Sequence, residues 1–365
     1  SIKMIIGSIS ENKKFEKRVS LVPDIIKKYT NLGLEVQITK GYGDHIGFSD
    51  DTYIKAGANI IENKQEVLKN SNILIQLDLI EENDFINLKK DSTLVGSLNF
   101  SQNKDKIEKL KSNGVNIFSL ELLPRITRAQ SMDILSSQAN LAGYKAVVDA
   151  FSYFEKAIPM MMTAAGTVPA AKVLIVGAGV AGLQAVATAK RLGAVVFATD
   201  VRMASKEQVE SLGGKFLTVE GAENLETEGG YAKEASEDFK RKQEQLLSDT
   251  LKKIDIVICT ALIPGKKAPI IIKDEMIKDM QPGSVIYDLA AIQGGNTAFT
   301  EVDQIINKNG VKIMGEKNIL NKLPISSSNL YAKNLFNFIS NLYDKENKKI
   351  NINLEDEIIK NTLIK

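Results

Sequence analysis

The sequence predicts an α/β protein of two domains, each built on a parallel sheet. A long helix and a returning C-terminal helix join them, with a cleft between. Three observations predict this. Strand-like and helix-like runs alternate over residues 1 to about 125 and again after Lys172, the pattern of a parallel sheet covered by helices. Between the two series, Gln130–Lys156 keeps Met132, Leu135, Ala139, Ala142, Ala146, Val147, Ala150, Phe151 and Phe154 at three- and four-residue spacing, the period of a helix. Lys172–Asp200 reads strand, glycine turn, helix, strand, and Gly177, Gly179 and Gly182 stand in G-x-G-x-x-G spacing. That is the arrangement of a Rossmann-like dinucleotide domain. The expected division is residues 1–127 with 325–365 as an N-terminal α/β domain, 140–320 as an NAD(H)-binding Rossmann domain, and 128–156 as the linking helix.

Taken in order, Met4–Ile9 is a first strand, Asp24–Leu32 a helix closed by Gly33, and Glu35–Thr39 a second strand. Gly41–Asp50 is a turn-rich loop, and Asp51–Ala56 a short helix. Ile73–Leu77 and Thr93–Leu98 are strands, Lys104–Asn113 a helix and Val115–Ser119 a strand. The methionine-rich Ile158–Val168 lies outside the alternation and is read as a subunit interface rather than core. Beyond the glycine turn come the helix Lys206–Leu212, closed by Gly213 and Gly214, and the strand Lys215–Val219. Glu220–Phe239 is acidic and weakly apolar, a lid or an insert by its length. Phe239–Lys253 is a helix, Ile254–Thr260 a strand and Ala261–Pro269 the loop at its C-terminal end, where open α/β sheets bind ligands. Asp274–Met280 is helical, Val285–Asp288 and Val311–Met314 are strands, and Ser326–Tyr343 is the helix that returns to the N-terminal domain.

Composition narrows the function classes. The chain has 365 residues, 44% hydrophobic and 25% charged, with a net charge of +2. That balance gives no case for a nucleic-acid partner. The single cysteine, Cys259, lies in the apolar run IDIVICTAL and reads as a buried thiol. The single histidine, His45, has no second histidine or cysteine to share a zinc ion. No leader or membrane-spanning run is visible, and the expected compartment is cytoplasmic.

In the glycine turn, Gly177 makes the bend, Gly179 lets backbone approach a pyrophosphate, and Gly182 lets the helix pack closely on the strand. The helix N-terminus that follows suits a phosphate anion. Asp200 ends the next strand near the spacing of ~20 residues at which an acidic side chain meets the adenosine ribose. Its carboxylate accepts from both ribose hydroxyls and repels a 2′-phosphate, which favours NAD over NADP. The alternatives are a glycine turn with no ligand and a membrane helix. Val173–Ala189 is uncharged but shorter than the ~20 residues a span needs.

Several segments resemble one family: RAQSMDILSSQANLAGYKAV (Arg128–Val147), VGAGVAGLQA, ATDVR (Ala198–Arg202), KEQVESLGGKF (Lys206–Phe216), GGYAKE, TALIPGKKAP and GSVIYDLAA. The resemblance is to the NAD(H)-binding domain of proton-translocating transhydrogenase and its relative alanine dehydrogenase. It is looser in the N-terminal region, through KRVSLVPD (Lys17–Asp24) and GYGDHIGFSDDTY. Alanine dehydrogenase moves a proton as well as a hydride, and the resemblance implies a lysine, a histidine and an aspartate for that. Here the lysine position falls at Gln76 or Asp78, the histidine position at Asn99 and the aspartate position at Ile292. Only the substrate arginine has a counterpart, Arg18. Hydride transfer between two nicotinamide nucleotides needs none of these groups.

The transhydrogenase resemblance implies a polar catalytic cluster of Arg125, Gln130, Asp133 and Ser136, the last three spaced along one face of the linking helix. It implies an adenosine site at Val180, Asp200, Val201 and Arg202, and a lid at Gly230 and Tyr231 with Gln243 behind it. Ala261 and Leu262 would line the ring or ribose pocket. It also implies a homodimer, peripheral on the cytoplasmic face of the inner membrane without inserting there, and membrane subunits that include an NADP(H)-binding domain. The alternatives are an alanine dehydrogenase-like enzyme with replaced catalytic residues and a non-catalytic NAD(H)-sensing module.

Overall fold

The computed structural model describes residues 2–219 and 236–365. The chain divides into two compact units, Ser1–Gln138 with Leu320–Lys365, and Ala139–Ile319.

The first unit holds a six-stranded sheet of β1 (Ile5–Ser8), β2 (Glu35–Thr39), β3 (Asn59–Ile61), β4 (Ile73–Ile75), β5 (Thr93–Gly96) and β6 (Asn116–Ser119). All neighbours are parallel, in the order β3-β2-β1-β4-β5-β6. Its helices are α1 (Pro23–Asn31), α2 (Asp50–Ala56), α3 (Lys64–Asn70) and α4 (Lys104–Ser112). Pro23 sits in the first turn of α1, where its fixed φ suits the helix and its missing N–H costs nothing. Ile25, Ile26 and Tyr29 then face inward. The sequence reading lacks β3 and α3. The first is three residues long, and the second is the largely polar KQEVLKN, which buries only Val67 and Leu68.

Strand order reverses between β1 and β4, the place where such sheets hold ligands at their carboxyl ends. Here the chain's own polar groups meet there. The Gln76 carboxamide accepts from Ile9 N at 2.8 Å, and donates to Ile9 O at 3.1 Å and to Glu11 Oε2 at 2.6 Å. Glu11 also accepts from Leu77 N at 3.1 Å and Asp78 N at 3.2 Å.

Next comes α5 (Ile134–Tyr153), which begins in the first unit and runs into the second. The sequence reading starts this helix at Gln130. Instead, Thr127–Met132 forms a tighter 3₁₀ turn and the α-helix begins after Asp133. Asp133 is the reason: its Oδ1 accepts from Ser136 N at 3.0 Å, so its side chain caps the helix.

In the second unit, β7 (Met161–Thr163) and β8 (Gly166–Val168) form a small hairpin. Met162 is 80% exposed, so the methionine-rich run is surface and not core. The main sheet uses β9 (Lys172–Val176), β10 (Val195–Thr199), β11 (Lys215–Phe216), β12 (Ile256–Cys259), β13 (Val285–Asp288), β14 (Gln304–Lys308) and β15 (Val311–Gly315). Its order is β11-β10-β9-β12-β13-β15-β14. The helices are α6 (Val180–Arg191), α7 (Ser205–Ser211), α8 (Glu237–Leu251) and α9 (Asp274–Lys278). This sheet departs from the all-parallel expectation at one edge, where β14 runs antiparallel to β15. Asn309 and Gly310, at φ 54° and 84°, make the two-residue turn between them, and such turns join antiparallel strands.

The chain then returns to the first unit. Tyr331, Leu335 and Phe338 of α10 (Pro324–Leu342) join Ile6, Ile26, Tyr29 and Phe118 in one core cluster. The helix α11 (Glu357–Thr362) follows. No helix among the described residues is long and apolar enough to cross a membrane.

Candidate functional site

The strand order of the second sheet reverses between β9 and β12, so the loops after these two strands face a common crevice. After β9 comes the glycine turn. Gly177 has φ +97°, a left-handed conformation that side chains other than glycine rarely adopt. A Cβ on Gly182 would lie 1.8 Å from Gly177 O, so only glycine lets α6 approach the turn this closely. A Cβ on Gly179 would meet nothing within 4 Å. The protein does not need that glycine for its own packing. The space above it is what a pyrophosphate against a helix N-terminus requires, so the residues present fit a dinucleotide.

Asp200, at the end of β10, props the turn. Its Oδ2 accepts from Ala178 N at 2.7 Å, and its Oδ1 from Arg202 N at 2.8 Å and Arg202 Nε at 3.2 Å. Oδ2 keeps a further lone pair for a ribose hydroxyl, whereas Oδ1 already accepts twice from Arg202. The Arg202 guanidinium is drawn onto this carboxylate. Val180 is 41% and Val201 64% exposed, leaving apolar surface beside Asp200 for an aromatic base. Gln243 lies half-buried on α8. Gly230 and Tyr231, the expected lid, lie outside the described residues.

After β12, Thr260 Oγ1 donates at 3.0 Å to both Val176 O and Gly177 O, tying this loop to the glycine turn. Ala261 is half-buried and Leu262 is 47% exposed. Sequence reasoning missed what holds this loop. The fully buried Asn296 carboxamide donates to Ala261 O and Pro269 O, both at 2.9 Å, and accepts from Ala261 N at 3.2 Å. Buried Asp288 in turn accepts from Ala290 N, Asn296 N and Thr300 Oγ1 at 2.7–2.9 Å. Burial pushes the Asp288 carboxyl above its ordinary pKa, against the pull of those donors. No local pattern points to Asn296, because its partner Ala261 lies 35 residues away in sequence.

The polar cluster lies in the first unit. Arg125 and Gln130 are exposed, the latter in the 3₁₀ turn and so not on the helix face expected for it. Asp133 and Ser136 are brought together: Ser136 Oγ donates to Asp133 Oδ2 at 2.6 Å. This pair therefore caps a helix, whatever else it does.

The positions that correspond to alanine dehydrogenase chemistry are equally plain. Gln76 is buried and committed to Ile9 and Glu11. Asp78 is exposed. Asn99, at φ +50°, donates from Nδ2 to Gln102 Oε1 at 3.0 Å. Ile292 is 58% exposed and carries no acid. Arg18 is gripped by Glu16, with Nε to Oε2 at 3.0 Å and Nη2 to Oε1 at 2.6 Å, while Nη1 donates to Gln138 Oε1 at 3.0 Å. His45 is exposed, and its Nε2 is 2.8 Å from Lys17 O.

Residues 7–142 match the family described as "Alanine dehydrogenase/PNT, N-terminal domain", and residues 146–365 the "Alanine dehydrogenase/PNT, C-terminal domain". The chain is 47% identical over 368 residues to an NAD(P) transhydrogenase subunit alpha protein of Rhodospirillum rubrum, covering 99% of this chain and 96% of the relative. To the protein of the same name from Rickettsia prowazekii it is 43% identical, covering 99% and 94%. The crystal structure of transhydrogenase from Sinorhizobium meliloti superposes with TM-score 0.89 at 42% identity, over 98% of this chain and 97% of that one.

Proposed function

The chain belongs to the alanine dehydrogenase/PNT family, and we propose that within it this is the NAD(H)-binding component of a proton-translocating transhydrogenase. Its partners in this reading are a second copy of itself and membrane subunits that carry NADP(H) and the proton path. Its place is peripheral, on the cytoplasmic face of the inner membrane. The observation that carries the reading is a contrast. The turn carries Gly177, Gly179 and Gly182 with open space at Gly179, and Asp200 accepts from its Ala178 N–H. Yet the positions for the lysine, the histidine and the aspartate that amino-acid oxidation uses hold Gln76 or Asp78, Asn99 and Ile292. What remains suits a reaction with no proton to give or take.

Bound NAD(H) supplies the hydride chemistry itself. The chain's own work is binding and placement. Gly179 and the N-terminus of α6 receive the pyrophosphate, Asp200 the adenosine ribose, and Val180, Val201 and Arg202 its base. Gln243 borders it from α8, and the expected lid residues Gly230 and Tyr231 lie outside the described residues. Ala261 and Leu262 line the ring side, and Arg125, Gln130, Asp133 and Ser136 place the ring.

Mixing the protein with a purified NADP(H)-binding domain should give hydride exchange between nicotinamide nucleotides. No exchange, with NADH binding intact, would sink the proposal, and alanine-dependent NAD⁺ reduction would replace it. The Asp200 assignment has its own check. NADH should bind at least about tenfold tighter than NADPH, and Asp200→Asn should narrow that gap. The substitution removes the charge that repels a 2′-phosphate and frees Arg202 to meet one. Equal affinities in the parent protein would refute it.

A further inference from the structure

The loop after β12 is exposed through its middle, with Leu262 at 47% and Ile263 at 43%. It is held at its two feet. At the first foot, Ala261 gives both its N–H and its carbonyl to the Asn296 side chain. At the second, Ala268 N donates to Gln293 O at 2.7 Å, and Pro269 O accepts from that same Asn296 side chain at 2.9 Å. One carboxamide therefore clips both ends of the loop. Asn296 is fully buried, and its backbone N–H donates to Asp288 Oδ2 at 2.7 Å.

Only a primary amide fits this place. Two carbonyl oxygens need two N–H donors, and one N–H needs an acceptor. An aspartate of the same shape offers no donor and sets a buried charge against two carbonyls. The loop's position follows from topology. Asp200 on β10 lies to one side of the β9 turn and takes the adenosine half. The other half must then run across β12, over Ala261 and Leu262. We propose that Asn296 is the positioning residue for the nicotinamide half of the site: it holds the Ala261–Pro269 loop in the shape that receives the ring and its ribose. This rests on the NAD(H) reading above.

The test compares two ligands in calorimetry on the full chain. AMP reaches only the β9 turn and Asp200, whereas NADH also reaches the loop. Asn296→Ala and Asn296→Asp should weaken NADH by about tenfold or more and leave AMP within about twofold of the parent value. AMP binding reports in the same sample that the domain is folded. Asn296→Ala, which buries no charge, serves where Asn296→Asp fails to fold. A parent that binds both ligands, beside a variant that keeps both or loses both in parallel, overturns the positioning role alone. A parent that binds neither overturns the NAD(H) reading, and this inference with it.

Discussion

Gly182→Ala is expected to destabilise the protein by about 1–3 kcal/mol and to weaken NADH by at least about tenfold. The added methyl would sit 1.8 Å from Gly177 O. The obstacle is backbone, so no rotamer change relieves it. Either α6 moves away from the sheet or the turn opens, and both displace the helix N-terminus proposed to receive the pyrophosphate. Gly179→Ala is the control. Its φ of −76° suits alanine, and its Cβ meets no protein atom within 4 Å. Stability should stay within about 0.5 kcal/mol of the parent, while NADH weakens by at least about tenfold because the methyl occupies ligand space. Thermal unfolding and calorimetric titration of the two variants check this. A Gly179→Ala variant with parent affinity would mean that no pyrophosphate lies there.

The second large effect is on stability against pH. Glu11 as a residue is only half-buried, yet its carboxyl group is enclosed by protein. Burial, helped by the nearby negative charges of Asp78 and Glu16, pushes its pKa up from 4.5 to about 8 against the backbone N–H groups of Leu77 and Asp78. A carboxyl with a raised folded-state pKa favours the folded protein fully below its unfolded value. That contribution fades as pH climbs through the folded one. The window is therefore about pH 4.5 to 8. Within it the slope approaches ~1.4 kcal/mol per pH unit, or roughly 2–4 °C in Tm per kcal/mol. Glu11→Gln, which resembles the protonated form, should flatten that stretch of the curve. Melting the two proteins in parallel isolates Glu11 from Asp288, which titrates in the same sense. Identical slopes in parent and variant would refute the assignment.

Long elements with strong patterns were legible in the residues. β2 and β13 fall where the apolar runs place them, and the glycine turn has the geometry its spacing implies. What sequence reading missed is short or polar. β3 has three residues, and α3 buries two. The edge strand β14 is mostly exposed, and its Asn309-Gly310 signal was there to be used. The start of α5 went astray because Met132 and Leu135 keep helical spacing across Asp133, whose cap ends one kind of turn and begins another. Asn296 was unreadable for a different reason. Its role depends on meeting Ala261, and no local pattern reports a contact between loops so distant in sequence.

The order β3-β2-β1-β4-β5 in the first sheet repeats as β11-β10-β9-β12-β13 in the second. Each arrangement offers a berth where its strands change direction. In the first unit that berth is stoppered from within, because the Gln76 amide and the Glu11 carboxyl bond to each other across it. Ile9 also stands where the second unit has a glycine bend. The duplicated architecture therefore does not duplicate capacity: a titration should saturate at a stoichiometry of one nucleotide per chain.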